Sequence, residues 1–111
     1  MEAVRVVSGT VHPFVFPGAV TSVSAPATSG AAYKDSPTAT YQLLSAAAAT
    51  CVIEVTNEDA TAAGTNSNWI TAGTITLTAA GTDGFTTSAP WKYVRARVTV
   101  ATTATSVLMG V

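Results

Sequence analysis

The stretch that decides the fold is Trp91-Lys92-Tyr93-Val94-Arg95-Ala96-Arg97-Val98-Thr99-Val100. Apolar and polar side chains alternate along it without interruption. Successive side chains of an extended chain point to opposite faces, so this period of two marks a half-buried strand. Val94, Ala96, Val98 and Val100 form one apolar face. Trp91, Tyr93, Arg95, Arg97 and Thr99 form the other.

The same period recurs upstream. Thr38 to Leu44 sets Ala39, Tyr41 and Leu43 against Thr40, Gln42 and Leu44. Thr50 to Thr56 sets Cys51, Ile53 and Val55 against Val52, Glu54 and Thr56. Thr74 to Thr78 places Ile75 and Leu77 inward and three threonines outward. Shorter pieces with β-branched residues run over Ala3–Val7, Val11–Val15, Ala19–Ser24, Ala32–Lys34 and Thr105–Met109. Valine, isoleucine, threonine and tyrosine favour a pleated surface, whereas Pro, Gly, Asn and Asp break it. Four alanines at Ala46–Ala49 favour helix on propensity. Their β-branched flanks predict a small-residue turn between strands instead. Ser8-Gly9, Pro17-Gly18, the polar run Asn57–Asn68 and Ala79–Gly84 with its Asp83-Gly84 pair are the expected turns and loops.

The expectation is an all-β domain of about eight to nine short strands, built as an antiparallel jelly-roll-like sandwich or barrel. At 111 residues the chain is expected to be a single domain. Residues 38–111 form its core module. Residues 1–37, rich in Pro and Gly, form an arm to a neighbour or supply edge strands.

Composition narrows the function. Only 10% of the residues are charged, against about 25% in ordinary domains. Net charge is −1, which argues against a phosphate-neutralising surface and so against nucleic-acid binding. No run approaches the roughly 20 apolar residues of a membrane-spanning helix. The start, Met1-Glu2-Ala3-Val4-Arg5, lacks the pattern of a secretory signal, so synthesis in a cytoplasm is expected. Thr, Ala and Ser must build much of the surface, and a charge-poor surface suits close packing against other proteins. An ordinary neutral β domain would share this composition.

Catalytic groupings are nearly absent. The sequence holds no Gly-x-Ser-x-Gly elbow, phosphate-binding glycine loop or paired metal-ligand cysteines. Its one histidine, His12, stands beside Pro13, and its one cysteine, Cys51, lies in an apolar run that predicts burial. Glu58-Asp59 are the only adjacent acids, and their spacing fits no calcium loop. The expectation is a protein that is not an enzyme and has no catalytic residues, no metal and no cofactor.

The candidate contact face is Tyr93, Arg95 and Arg97. They stand in line on one strand face, about 7 Å apart. Two of the five cations sit there, and arginine with aromatics is the pairing enriched in binding hot spots. The plain alternative is a sheet face whose arginines pair with Glu54 across strands.

Several strings together resemble a known group. They are Ala49-Thr50-Cys51-Val52-Ile53-Glu54-Val55-Thr56-Asn57, Asn68 through Leu77, Asp83-Gly84-Phe85, Ala89-Pro90-Trp91-Lys92-Tyr93-Val94-Arg95-Ala96 and the ending Val107-Leu108-Met109-Gly110-Val111. Their order resembles a β-rich module of small structural proteins of tailed bacteriophages. Pro90-Trp91-x-Tyr93-Val94-Arg95-Ala96 is the most specific string, and residues 1–37 share nothing with the group. In length the chain is most similar to the capsid decoration (staple or cement) proteins of epsilon15-like short-tailed phages. That resemblance implies a jelly-roll-like fold and a place on the outer capsid of the virion, clamping neighbouring copies of the major capsid protein. It implies no catalytic residues and brings no contact residues that carry over one by one. Self-association is also expected, since a clamp across a two-fold axis wants an isologous pair. The competing expectation is a tail or fibre module that binds a host receptor or glycan, stacking sugar rings on Trp69, Trp91 or Tyr93.

Overall fold

The computed structural model describes residues 25–34, 37–58 and 68–110, with Lys34 by its backbone alone, and the backbone of residues 4–6, 11–13, 15–16 and 18–19. Among these there is no helix. Twelve strands run in chain order: β1 (Val4–Val6), β2 (Val11–Pro13), β3 (Val15–Phe16), β4 (Gly18–Ala19), β5 (Ala27–Thr28), β6 (Ala32–Lys34), β7 (Ala39–Ser45), β8 (Ala49–Thr56), β9 (Ile70–Leu77), β10 (Gly81–Thr87), β11 (Tyr93–Val100) and β12 (Thr105–Gly110).

The larger sheet has the order β1-β6-β11-β8-β9, with β5 also pairing β11. The smaller has the order β10-β7-β12-β2, and β3 and β4 pair separately. Pairing is antiparallel except between β1 and β6. Side chains from both sheets meet in one core. Tyr41, Leu43, Val107 and Met109 come from the smaller sheet, and Cys51, Ile53, Val55, Ile75, Val94, Ala96 and Val98 from the larger. The all-β sandwich expected from the alternating strands is the fold observed.

The chain changes sheet at residues 46–48, 78–80, 88–92 and 101–104. The alanine turn is thus a crossing between layers, not a hairpin. Its neighbour at 101–104 is tied to it by a run of hydroxyls. The Ala47 N–H donates to Ser45 Oγ (3.3 Å), and the Thr105 hydroxyl donates to the Thr103 carbonyl (2.9 Å). Ser45 and Thr105 lie 3.0 Å apart. Because the single Thr105 proton goes to Thr103, Ser45 is the donor between them. Both side chains are buried, and both are satisfied.

The structure departs from the sequence expectations at four places. Asp83-Gly84 is not a turn. Both residues lie inside β10, opposite Leu43 and Gln42. A Cβ on Gly84 would stand 2.2 Å from the Tyr41 carbonyl oxygen, so glycine is there for close strand approach. The strand around Ile75 begins at Ile70, earlier than expected. A Cβ on Gly73 would meet the Phe85 ring at 2.6 Å, so this glycine makes room for an aromatic from the opposite sheet rather than ending a strand. Val100 does not complete the apolar face of β11. The register shifts between Val98 and Val100, and Val100 ends 47% exposed. Finally, both faces of β8 are buried from Cys51 to Thr56.

In the amino-terminal third, β1 and β2 occupy sheet edges. The readings of Ser8-Gly9, Pro17, residues 20–24 and the greater part of the loop between Asn57 and Asn68 lie outside the described residues, as do the side chains of β1.

Candidate functional site

The site is built on the outward face of β8 and β11. The two strands pair so that Tyr93 stands opposite Thr56, Arg95 opposite Glu54 and Arg97 opposite Val52. Directly opposed residues share a face, so the three β11 side chains stand beside Val52, Glu54 and Thr56, and Arg95 and Arg97 reach across to Glu54. That explains why Val52, Glu54 and Thr56, which point away from the core, are nonetheless buried.

Glu54 is the electrostatic centre. Its Oε1 accepts from Arg95 Nε at 2.9 Å and from Arg97 Nε at 3.4 Å. The cross-strand pairing weighed from sequence is therefore present, and it holds both arginines. Their surroundings differ. The Arg95 guanidinium carbon lies 4.5 Å from the Trp69 ring centroid, a cation–π distance, and its side chain is 17% exposed. The Arg97 side chain is 42% exposed and has no further partner among the described residues. Among the described residues both guanidinium groups reach the one Glu54 carboxylate, and Arg97, the more exposed of the two, holds the longer contact.

Tyr93 stands apart from this pair. Its ring meets Tyr33 edge to face at 5.4 Å, across the β6–β11 boundary. Beside Arg97 lies an open groove of about 360 Å³, lined by Pro26, Ala27, Thr28, Val98 and Thr99. β5 forms one wall of it. Just past β5, Ser29 anchors the segment to β11. The Ser29 N–H donates to the Ala96 carbonyl at 2.8 Å, and Ser29 Oγ accepts from the Ala96 N–H at 2.8 Å. One serine satisfies both backbone groups of Ala96 at the gap between β5 and β6.

The structure thus brings Arg95 and Arg97 together on Glu54, with Tyr93 next in line but engaged with Tyr33. Sequence reasoning did not place Trp69 on Arg95 or Tyr33 on Tyr93, because nothing local marks which distant strand brings a ring across. It also gave no sign of Ser29.

The remaining candidate groups do not join this site. Cys51 is fully buried, and loss of hydration pushes its thiol from 9.0 up to about 12, so it carries no thiolate near neutral pH. Glu58 accepts a hydrogen bond from the Asn68 amide, and its own N–H donates to Thr56 Oγ1 at 3.1 Å. Asp59 lies outside the described residues, as does the side chain of His12. Among the described residues no three metal-ligating side chains come together. What the arrangement offers chemically is a fixed cation beside a shallow groove, suited to an anionic group that approaches from outside.

No family model matches this chain, and no curated protein is similar to it.

Proposed function

We propose that this chain is a non-enzymatic structural protein of a virus particle. It decorates the outer surface of a tailed-phage head and clamps neighbouring major capsid subunits, with the Arg97 side of the larger sheet as the contact face. The observation that carries the reading is the half-exposed guanidinium of Arg97, set beside an open groove on an otherwise charge-poor molecule. An interface builds around such an anchor when neutral, close-packed surface excludes water around it. The string Pro90-Trp91-x-Tyr93-Val94-Arg95-Ala96 and its companions, which resemble a β-rich module of small tailed-phage structural proteins, support the particle context. Many copies on one shell would add weak contacts through multivalency.

The receptor-binding reading relies on free aromatic faces. Arg95 already covers one face of Trp69, and Tyr93 packs against Tyr33, which leaves less ring surface for a sugar.

Cryo-microscopy of purified particles tests the proposal. Many copies spread over the shell are the expected result, and a location confined to the tail overturns it. Arg97→Ala should weaken binding to the shell while the isolated domain keeps its fold.

A further inference from the structure

Every open sheet ends in strands whose outer N–H and C=O groups have no ladder partner, and natural proteins block such edges with charge, proline or extreme shortness. Among the described residues, the edges of the two main sheets are β1, β5 and β9 in one, and β10 and β2 in the other. Four of the five carry a block. β1 is three residues long and contains Arg5. β2 is three residues long and contains Pro13. β5 has two residues and follows Pro26. β10 contains Asp83, whose carboxylate accepts from the Gly84 N–H at 2.8 Å and so occupies a strand donor itself.

β9 is the exception. It runs for eight residues, Ile-Thr-Ala-Gly-Thr-Ile-Thr-Leu, without a charge or a proline. Its only irregularity is at Ala72, which is skipped as the register passes from Ile53–Gly73 to Glu54–Thr71. Gly73 to Leu77 is left as a regular edge. Thr74 and Thr76 are exposed on its outer side, and Ile70 is exposed at its start.

We infer that the β9 edge pairs with the β9 edge of a second copy of this chain, antiparallel across a two-fold axis. An uncharged strand suits itself as a partner, because a two-fold axis would set any charge near its own counterpart. With the axis at Thr74, this residue meets its own counterpart, a favourable threonine pair, and Ile75 stands opposite Gly73. Both residues of that second pair face the core side, so the two cores align. The pairing joins the larger sheets of two molecules into one. It also uses up the only unblocked main-sheet edge among the described residues, so assembly closes at two and does not continue as a fibre. The edge lies apart from the Arg97 groove, and its pairing stands independently of the particle reading.

Sedimentation velocity on the full chain from about 1 µM to about 1 mM is the test. The expected result is a concentration-dependent rise from the 11.2 kDa monomer to twice that mass. The Thr74→Lys/Thr76→Lys variant sets like charges across the axis and should sediment as a monomer throughout, with an unchanged circular-dichroism spectrum. Thr40→Lys, on the exposed side of β7, should dimerise as the parent does. A parent that stays monomeric, or a double-lysine variant that dimerises equally, overturns the inference. Hydrogen exchange on the unmodified chain gives a second reading should the lysine variant not fold. Backbone amides in 73–77 should exchange more slowly at high protein concentration, and rates independent of concentration overturn the pairing.

Discussion

Arg95 and Glu54 form the tightest ion pair described in the molecule, at 2.9 Å, and the indole of Trp69 covers the guanidinium from above. The pair sits on an outward face yet is mostly shielded from water. Removing Arg95 leaves a carboxylate that is only 10% exposed with the longer Arg97 contact alone. Arg95→Ala should therefore cost about 1–3 kcal/mol of folding stability. Arg97→Ala, at a solvent-screened position, should cost less than about 1 kcal/mol. Urea unfolding of the two variants checks this, and equal losses would make Arg97 a structural residue rather than a contact residue.

Ser29 makes a second sharp prediction. Ser29→Ala keeps the backbone bond to the Ala96 carbonyl but removes the acceptor of the Ala96 N–H. A buried donor left without a partner costs about 1–3 kcal/mol. The loss should appear as a lower urea midpoint with an unchanged slope. The Ala96 amide should exchange faster than its neighbours in β11.

The two close-approach glycines should respond differently to the same substitution. In Gly84→Ala the new methyl meets the Tyr41 backbone carbonyl at 2.2 Å, and a strand must move. In Gly73→Ala it meets the far end of the Phe85 ring, which can rotate away. Overpacking of the second kind costs about 1–3 kcal/mol, and Gly84→Ala should exceed it. Phe85→Ala should relieve Gly73→Ala but not Gly84→Ala, an outcome read from double-mutant thermal melts.

Cys51 couples folding to alkaline pH. Its folded thiol titrates near 12, above its ordinary value of 9.0. Below pH 9 both states hold the proton and the group contributes no pH dependence. Between pH 9 and 12 the unfolded chain releases the proton and the folded one keeps it, so stability falls as pH rises, at most by about 1.4 kcal/mol per unit. Burial also raises the Tyr41 hydroxyl above its ordinary 10.0, which acts in the same direction. Cys51→Ala should flatten the slope of stability against pH between 9 and 10. At neutral pH, thiol labelling of the parent should follow the rate of unfolding.

The strands that sequence revealed best are those with one wet face. β7 and β11 alternate because solvent takes every second side chain, and the apolar side chains from Ala39 to Leu43 and from Val94 to Val98 are buried as the pattern requires. β8 shows the limit of that logic. The outward position of Glu54 was legible, but its burial depends on Arg95, Arg97 and Trp69, which arrive from distant parts of the chain. Glycine was the other source of error. Asp83-Gly84 carries the local signature of a tight turn, and only the proximity of the Tyr41 carbonyl explains a glycine in mid-strand. For the contact face, sequence placed Arg95 and Arg97 side by side with Glu54 as a partner. Which arginine is held and which is left open depended on where Trp69 and β5 came to rest.

The strand order has a consequence for how the molecule is made. β11 stands between β6 and β8 in one sheet, and β12 stands between β7 and β2 in the other. Each layer thus has one of its inner strands supplied by the last two strands described in the chain. While a ribosome is still adding residues before Tyr93, β7 and β2 have no shared neighbour and neither layer can close. Closing either layer needs contacts between segments distant in sequence, which predicts slow folding. Loss of β12 alone should leave no half-built sandwich, because it would remove the strand that joins the two sides of its sheet.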